Sequence, residues 1–244
     1  MDKKEEKNSF LSKKDIVPQE RLIFAMDVSS VDEAKALVAE LGDSVLFYKL
    51  GLQMFMAGGY FELSDWLRKQ GKKVFVDLKF FDVPQTVKSA VSQLTERDVQ
   101  FVTVHGNDKI MEAAAAVKKN LKILAVTVLT SLDAGDLKDL GFACNVEELV
   151  LSRAKRALAV GCDGVISSGL EAARLRRELG EKLLVVAPGI RPVANVDDQK
   201  RTVGVKEAFL NGADYIVVGR PIREAPDRRS AAENIQQMIA ALFQ

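Results

Sequence analysis

The sequence predicts an α/β chain folded as a single-domain (β/α)8 barrel of the TIM type. Three observations carry this expectation. From Arg21 onward, short apolar runs alternate with longer segments of helical period, eight times over. No linker, composition shift or low-complexity tract divides the chain over residues 20–244. No G-x-G-x-x-G follows the first apolar run, which argues against the doubly wound open sheet, the main competitor.

The elements follow in order. A first strand is expected at 22–26. Ser30-Val31-Asp32-Glu33 then has capping-box spacing, with Ala34, Leu37, Val38 and Leu41 on one helical face and Gly42 as a stop. A second strand falls at 45–50, followed by a helix over 61–70 that ends at Gly71. A third strand at 73–76 precedes a helical stripe of Val87, Ala90, Val91 and Leu94. A fourth at 101–104 is followed by Asp108 and the stripe Ile110, Met111, Ala114, Val117. A fifth at 123–128 leads to a helix over 146–160 that stops at Gly161. A sixth at 164–167 leads to one over 171–179 that stops at Gly180. A seventh at 183–187 precedes a helix over 205–210 and the stop Asn211-Gly212, and an eighth at 215–218 leads to the closing helix over 230–243.

Residues 1–19 begin "MDKKEEKNSFLSKKD", charged throughout and lacking an apolar signal core, and are expected to form a solvated, mobile extension. Lys and Arg number 35 against 34 Asp and Glu, so no global charge favours nucleic acid or an anionic membrane surface, and any anion site must be local. No apolar run approaches the roughly 20 residues needed to cross a bilayer. Cys144 and Cys162 lack metal-ligand spacing and the chain has a single histidine, which fits reduced thiols in a cytoplasmic protein and no metal site.

The polar residues gather at the strand ends, where barrels of this class build their sites. Asp27 follows the first strand and Lys49 ends the second. "DLKFFD", residues 77–82, follows the third, and side chains two apart on a strand share a face, so Asp77 and Lys79 point the same way. His105 and Asn107 follow the fourth, Thr127, Thr130 and Ser131 the fifth, Ser167 and Ser168 the sixth. "APGIRP" and "VVGRPI", after the last two strands, each set a glycine beside an arginine: Gly189 with Arg191, and Gly219 with Arg220. Glycine lets the backbone approach a ligand, and the guanidinium fork fits phosphate. The substrate is therefore expected to be phosphorylated. The polar stretch 191–201 is expected to cover that phosphate, with Gln199 reaching the ligand.

In combination, "FAMDV", "YKLG", "DLKFFDVPQT", "VTVHG", "AVTVLTS", "APGIRP", "DDQKR" and "VVGRPI" resemble the bacterial form of the orotidine 5′-phosphate decarboxylase family, from about Leu22 to the C-terminus. The resemblance implies a cofactor-independent enzyme of pyrimidine biosynthesis acting on orotidine 5′-phosphate. It implies that Asp27 binds pyrimidine and ribose and that Lys49 contacts the ribose and the catalytic network. Asp77, Lys79 and Asp82 become the charged array, with Lys79 as proton donor. It further implies a homodimer in which Asp82 and Thr86 serve the neighbouring subunit's site. Thr130 is placed near the pyrimidine; Arg191, Gln199, Gly219 and Arg220 grip the phosphate. The chain departs from the family at Phe81, where histidine is common, and at Gln85, where asparagine is common. His105 is expected to make a structural hydrogen bond and not to act in catalysis.

Loss of CO2 from that substrate leaves negative charge on C6 of the pyrimidine. An ammonium flanked by carboxylates is favoured in its charged form, can face the developing carbanion with little reorganisation, and can then protonate it. Two rivals share parts of the pattern. One is a metal-dependent sugar-phosphate decarboxylase or aldolase with the same D-x-K-x-x-D array. The other is a non-catalytic nucleotide-binding barrel.

Overall fold

The structure, a computed structural model, describes residues 9–191 and 202–243 of the 244-residue chain. Among the described residues eight parallel strands close into a barrel in sequence order. They are β1 (Leu22–Ala25), β2 (Phe47–Leu50), β3 (Lys73–Phe80), β4 (Phe101–His105), β5 (Lys122–Val126), β6 (Gly164–Ile166), β7 (Leu184–Ala187) and β8 (Tyr215–Val218).

The main helices between them are α1 (Val31–Leu41), α3 (Tyr60–Lys69), α4 (Pro84–Leu94), α5 (Asp108–Ala115), α7 (Val146–Ala159), α8 (Ala172–Leu179), α9 (Val205–Leu210) and α11 (Arg228–Ala240). Their ends obey the expected chemistry. Ser30 Oγ accepts from Glu33 N–H at 3.1 Å to start α1, and Gly42 closes it with a φ of 54°. Three short helices lie in segments that carried no helix expectation: α2 (Leu52–Met56), α6 (Ala134–Asp139) and α10 (Arg220–Arg223).

Period-two alternation sorts the strand side chains into two cores. Leu22, Phe24, Tyr48, Val74, Val76, Val102 and their like face outward against the helices. Ile23, Ala25, Phe47, Phe75, Phe101, Leu124, Leu184, Val186, Tyr215 and Val217 face inward and fill the barrel. The inward aromatic rings form a floor: Phe47 and Phe101 lie 5.0 Å apart between centroids, and Phe101 and Tyr215 5.2 Å.

Two expectations are corrected. The strand expected at 73–76 continues to Phe80, through the charged residues, after a shift of register against β4. Residues 9–19 are not a solvated extension. Phe10 N–H donates to Leu210 O, buried Ser12 donates to Asp214 Oδ1 at 2.5 Å, and Ile16 packs against the barrel's inner core. Residues 1–8 lie outside the described residues.

Candidate active site

The alternation that fills the barrel also builds its mouth. Two residues beyond inward Phe47 is Lys49, and two beyond inward Phe75 is Asp77. The register sets Lys49 beside Ala25 on one side and Phe75 on the other. Directly above the aromatic floor, the apolar interior therefore gives way to a ring of charges.

Asp77 is the centre of that ring. Its Oδ1 accepts from Lys79 Nζ at 2.9 Å and from Thr103 Oγ1 at 2.9 Å. Its Oδ2 lies 3.3 Å from Lys49 Nζ, which is also 3.5 Å from Asp27 Oδ1. Burial pushes the Asp77 carboxyl up. The charges of Lys49 and Lys79, with the hydrogen bonds from Lys79 and Thr103, outweigh it and hold the group below the ordinary carboxylate range. Burial likewise pulls the Lys49 ammonium down, and Asp77 and Asp27 together hold it above its usual value. Both groups stay ionised because they are paired.

Lys79 has a φ of 47°, in the left-handed region that non-glycine residues rarely adopt, at a cost of about 1–3 kcal/mol. The turn keeps its side chain directed at the cavity, with 35% of it exposed. Gly51 makes room for the array: a Cβ there would stand 3.2 Å from both Asp27 Oδ1 and Lys49 Nζ.

These groups line a cavity of about 520 Å³ at the barrel mouth, within the size range of small-molecule sites. Asp27, Lys49, Asp77, Lys79, Thr130, Arg191, Gly219 and Arg220 all lie on its wall, as do the apolar side chains of Val126, Leu129 and Ile166. Gly189 turns the chain beside Arg191 with a φ of 76°. Positive side chains thus collect on the β7–β8 side, and the Asp77–Lys79 pair stands on the β3 side. A second cleft lies between α3 and α4, lined by Asp65, Arg68, Glu96 and Arg97; it is open and mixed in charge, with no such convergence.

Not every expected residue meets there. Asp82 and Thr86 are exposed and do not line the cavity; Asp82 Oδ1 accepts from Val83 N–H at 2.7 Å. Gln199 and positions 192–201 lie outside the described residues. Thr127 and Ser167 are buried and bonded locally, to Ile166 O and Glu171. His105 shares its Nδ1 with Asn107 Oδ1 at 2.7 Å and stacks on Phe81 at 4.3 Å between centroids.

Three residues join the site without having been expected. Gln53 and Arg223 line the cavity, and Arg223 Nη1 donates to Asp27 O at 2.7 Å. Thr103 sits behind Asp77, fully buried. Its signal was present in "FVTVH": a hydroxyl two residues beyond Phe101 must point inward, into the charged layer.

Comparison with known proteins matches residues 20–235 to the family described as "Orotidine 5'-phosphate decarboxylase / HUMPS family". The chain is 65% identical over 237 residues to the orotidine 5′-phosphate decarboxylase of Methylococcus capsulatus, covering 96% of this chain and 98% of that one. It is 49% identical over 225 residues to that of Nitrobacter winogradskyi, covering 91% and 93%. Among solved structures, the orotidine 5′-phosphate decarboxylase of Lactobacillus acidophilus superposes with a TM-score of 0.81 at 33% identity, covering 90% of this chain and 99% of that one.

Proposed function

Because the chain belongs to the orotidine 5′-phosphate decarboxylase family, we propose that the charged ring at the barrel mouth carries out that family's reaction here. The protein is a carboxy-lyase that converts orotidine 5′-phosphate to uridine 5′-phosphate in pyrimidine biosynthesis. One observation supports the assignment of roles above the others: an ammonium on a strained backbone, hydrogen-bonded to a buried carboxylate and facing the cavity.

In this reading the pyrimidine lies over the aromatic floor with C6 toward Lys79. The bond from C6 to the carboxylate carbon breaks, its electron pair stays on C6, and CO2 departs beside Asp77. The Lys79 ammonium, already in place, stabilises that pair and then gives a proton to C6; solvent reprotonates the amine. Lys49 and Asp27 hold the ribose and fix Asp77. Thr130 borders the pyrimidine. Arg191, Arg220 and the Gly219 backbone grip the phosphate on the opposite wall, so binding energy far from the reacting carbon can be used to orient it. The reading asks for no cofactor. Among the described residues, no group of three His, Cys, Asp or Glu side chains is arranged to hold a metal ion.

We further infer a homodimer in which Asp82 and Thr86 complete the partner's site. Residues 81–86 are exposed in the single chain, and Leu52 and Met56 on α2, with Phe81 and Val83 after β3, leave apolar surface. Among the described residues no helix is long and apolar enough to cross a membrane. With Cys144 and Cys162 both unpaired, we assign the enzyme to the cytoplasm.

The test is to incubate the protein with orotidine 5′-phosphate, with and without EDTA, and follow loss of the orotate absorbance. Complete conversion in both is expected. Binding without conversion would leave a nucleotide-binding barrel, and loss of turnover in EDTA would favour the metal-dependent rival.

A further inference from the structure

We propose that Thr103 is a positioning residue for the decarboxylation, its hydroxyl fixing Asp77 and the Lys79 backbone in one arrangement. The proposal rests on the roles assigned above to Asp77 and Lys79.

Register sets the geometry. Val76 pairs with Val102 and Phe80 pairs with Val104, so Thr103 alone stands opposite Asp77, Leu78 and Lys79. A bulge of this kind strands backbone groups that the ladder would have paired, and it bends the strand. Here the bend brings both ends of the Asp77–Lys79 pair to one hydroxyl. Thr103 Oγ1 accepts from Lys79 N–H at 2.9 Å and donates to Asp77 Oδ1 at 2.9 Å. One donor and one acceptor are thus used at once, which a valine of the same shape could not provide.

The two bonds act on different quantities. The first holds the Lys79 backbone at its φ of 47°, a conformation that persists only where the surroundings enforce it. The second directs the lone pairs of Asp77 Oδ1 and favours its ionised form, alongside the lysines. Thr103 is fully buried and is not on the cavity wall, so it acts through Asp77 and Lys79 and not on substrate. β-Branching also suits the position, since Thr packs in a strand much as Val does.

The experiment compares Thr103→Val, Thr103→Ser and Lys79→Ala with the unaltered enzyme. It measures kcat, KM for orotidine 5′-phosphate, the pH profile of kcat/KM, and Tm. Thr103→Val should lower kcat about 10- to 100-fold, the range for losing a hydrogen bond to a charged group, with KM changed about threefold or less. Without that bond the Asp77 carboxylate is less favoured, so the acid limb should move to higher pH. Thr103→Ser should recover most of kcat and return the acid limb to its original position.

A merely structural threonine would lower Tm and leave the pH profile and the serine rescue without effect, and that result overturns the proposal. Should Thr103→Val fail to fold, Thr103→Ala takes its place, and a serine variant no better than alanine in kcat counts against the proposal equally. An inactive Lys79→Ala with a wild-type Thr103→Val removes the role of Thr103 alone. An active Lys79→Ala removes the reading of the site as well.

Discussion

The barrel carries a buried aspartate at each end, and the two are used in opposite ways. At the bottom, just ahead of β8, Asp214 is wholly enclosed. Its carboxylate accepts from Ser12 Oγ at 2.5 Å, Lys14 Nζ at 3.1 Å, Arg176 Nη2 at 2.6 Å and Val185 N–H at 2.8 Å. Arg176 in turn donates to Gly212 O and Leu183 O. Donors surround that carboxylate on every side, and the network ties residues 12 and 14 to the barrel. At the mouth, Asp77 is nearly as buried, but its partner Lys79 is left 35% exposed and faces a cavity. Both clusters pair charges to offset the cost of burial. The cluster at the mouth sets its ammonium groups on a cavity wall, whereas Lys14, 21% exposed, is held between Asp214 and Glu181. Under the proposed roles, the cluster that faces a cavity is the one placed to act on a ligand.

Three substitutions test that contrast, the largest first. Lys79→Ala should cost about a thousandfold or more in kcat, combining lost electrostatic stabilisation with lost proton delivery, while Tm stays near that of the unaltered protein. Asp214→Asn should do the reverse. It leaves the buried Arg176 guanidinium with only Glu181, 4.0 Å from its Nε, as a charge partner, a loss of about 3–5 kcal/mol in urea unfolding, with kcat per folded molecule unchanged. A large fall in kcat for the folded Asp214 variant would show that the two ends are coupled. Arg220→Ala should cost about 10- to 100-fold in kcat/KM, the scale of one charged hydrogen bond. Added phosphite dianion should then raise turnover of a phosphate-free substrate more in the unaltered enzyme than in the variant. An equal response would remove Arg220 from the phosphate grip.

The same contrast explains what could be read in advance. The eight strands were legible because each is a compact apolar run, and the helix ends because Ser30 and Gly42 carry unambiguous capping chemistry. The charged ring was legible because Asp27, Lys49 and Asp77 each end or follow an apolar run directly, and Lys79 lies two residues beyond Asp77. The continuation of β3 through Phe80 was not, since charges after Val76 look like a loop until a bulge and a cavity accommodate them. Thr103 was overlooked for a related reason: a threonine is an ordinary strand former, and although its place two residues beyond Phe101 turns it inward, only the register shows that it faces Asp77 and Lys79. α2, α6 and α10 span four to six residues each, too short for helical periodicity to register. Residues 9–19 read as solvent-exposed because Lys13, Lys14 and Asp15 are charged, while the group that orders Lys14 lies 200 residues away in sequence. Asp82 and Thr86 are exposed and lie off the cavity wall, and the roles proposed for them call for a second chain.

The central claim is that Lys79 moves a proton to and from C6, and microscopic reversibility exposes that step without decarboxylation. Uridine 5′-phosphate incubated with the enzyme in D2O should exchange its C6 hydrogen, followed by loss of the C6–H signal in NMR, and Lys79→Ala should abolish the exchange while still binding the nucleotide. Exchange by Lys79→Ala at the rate of the unaltered enzyme would contradict the account.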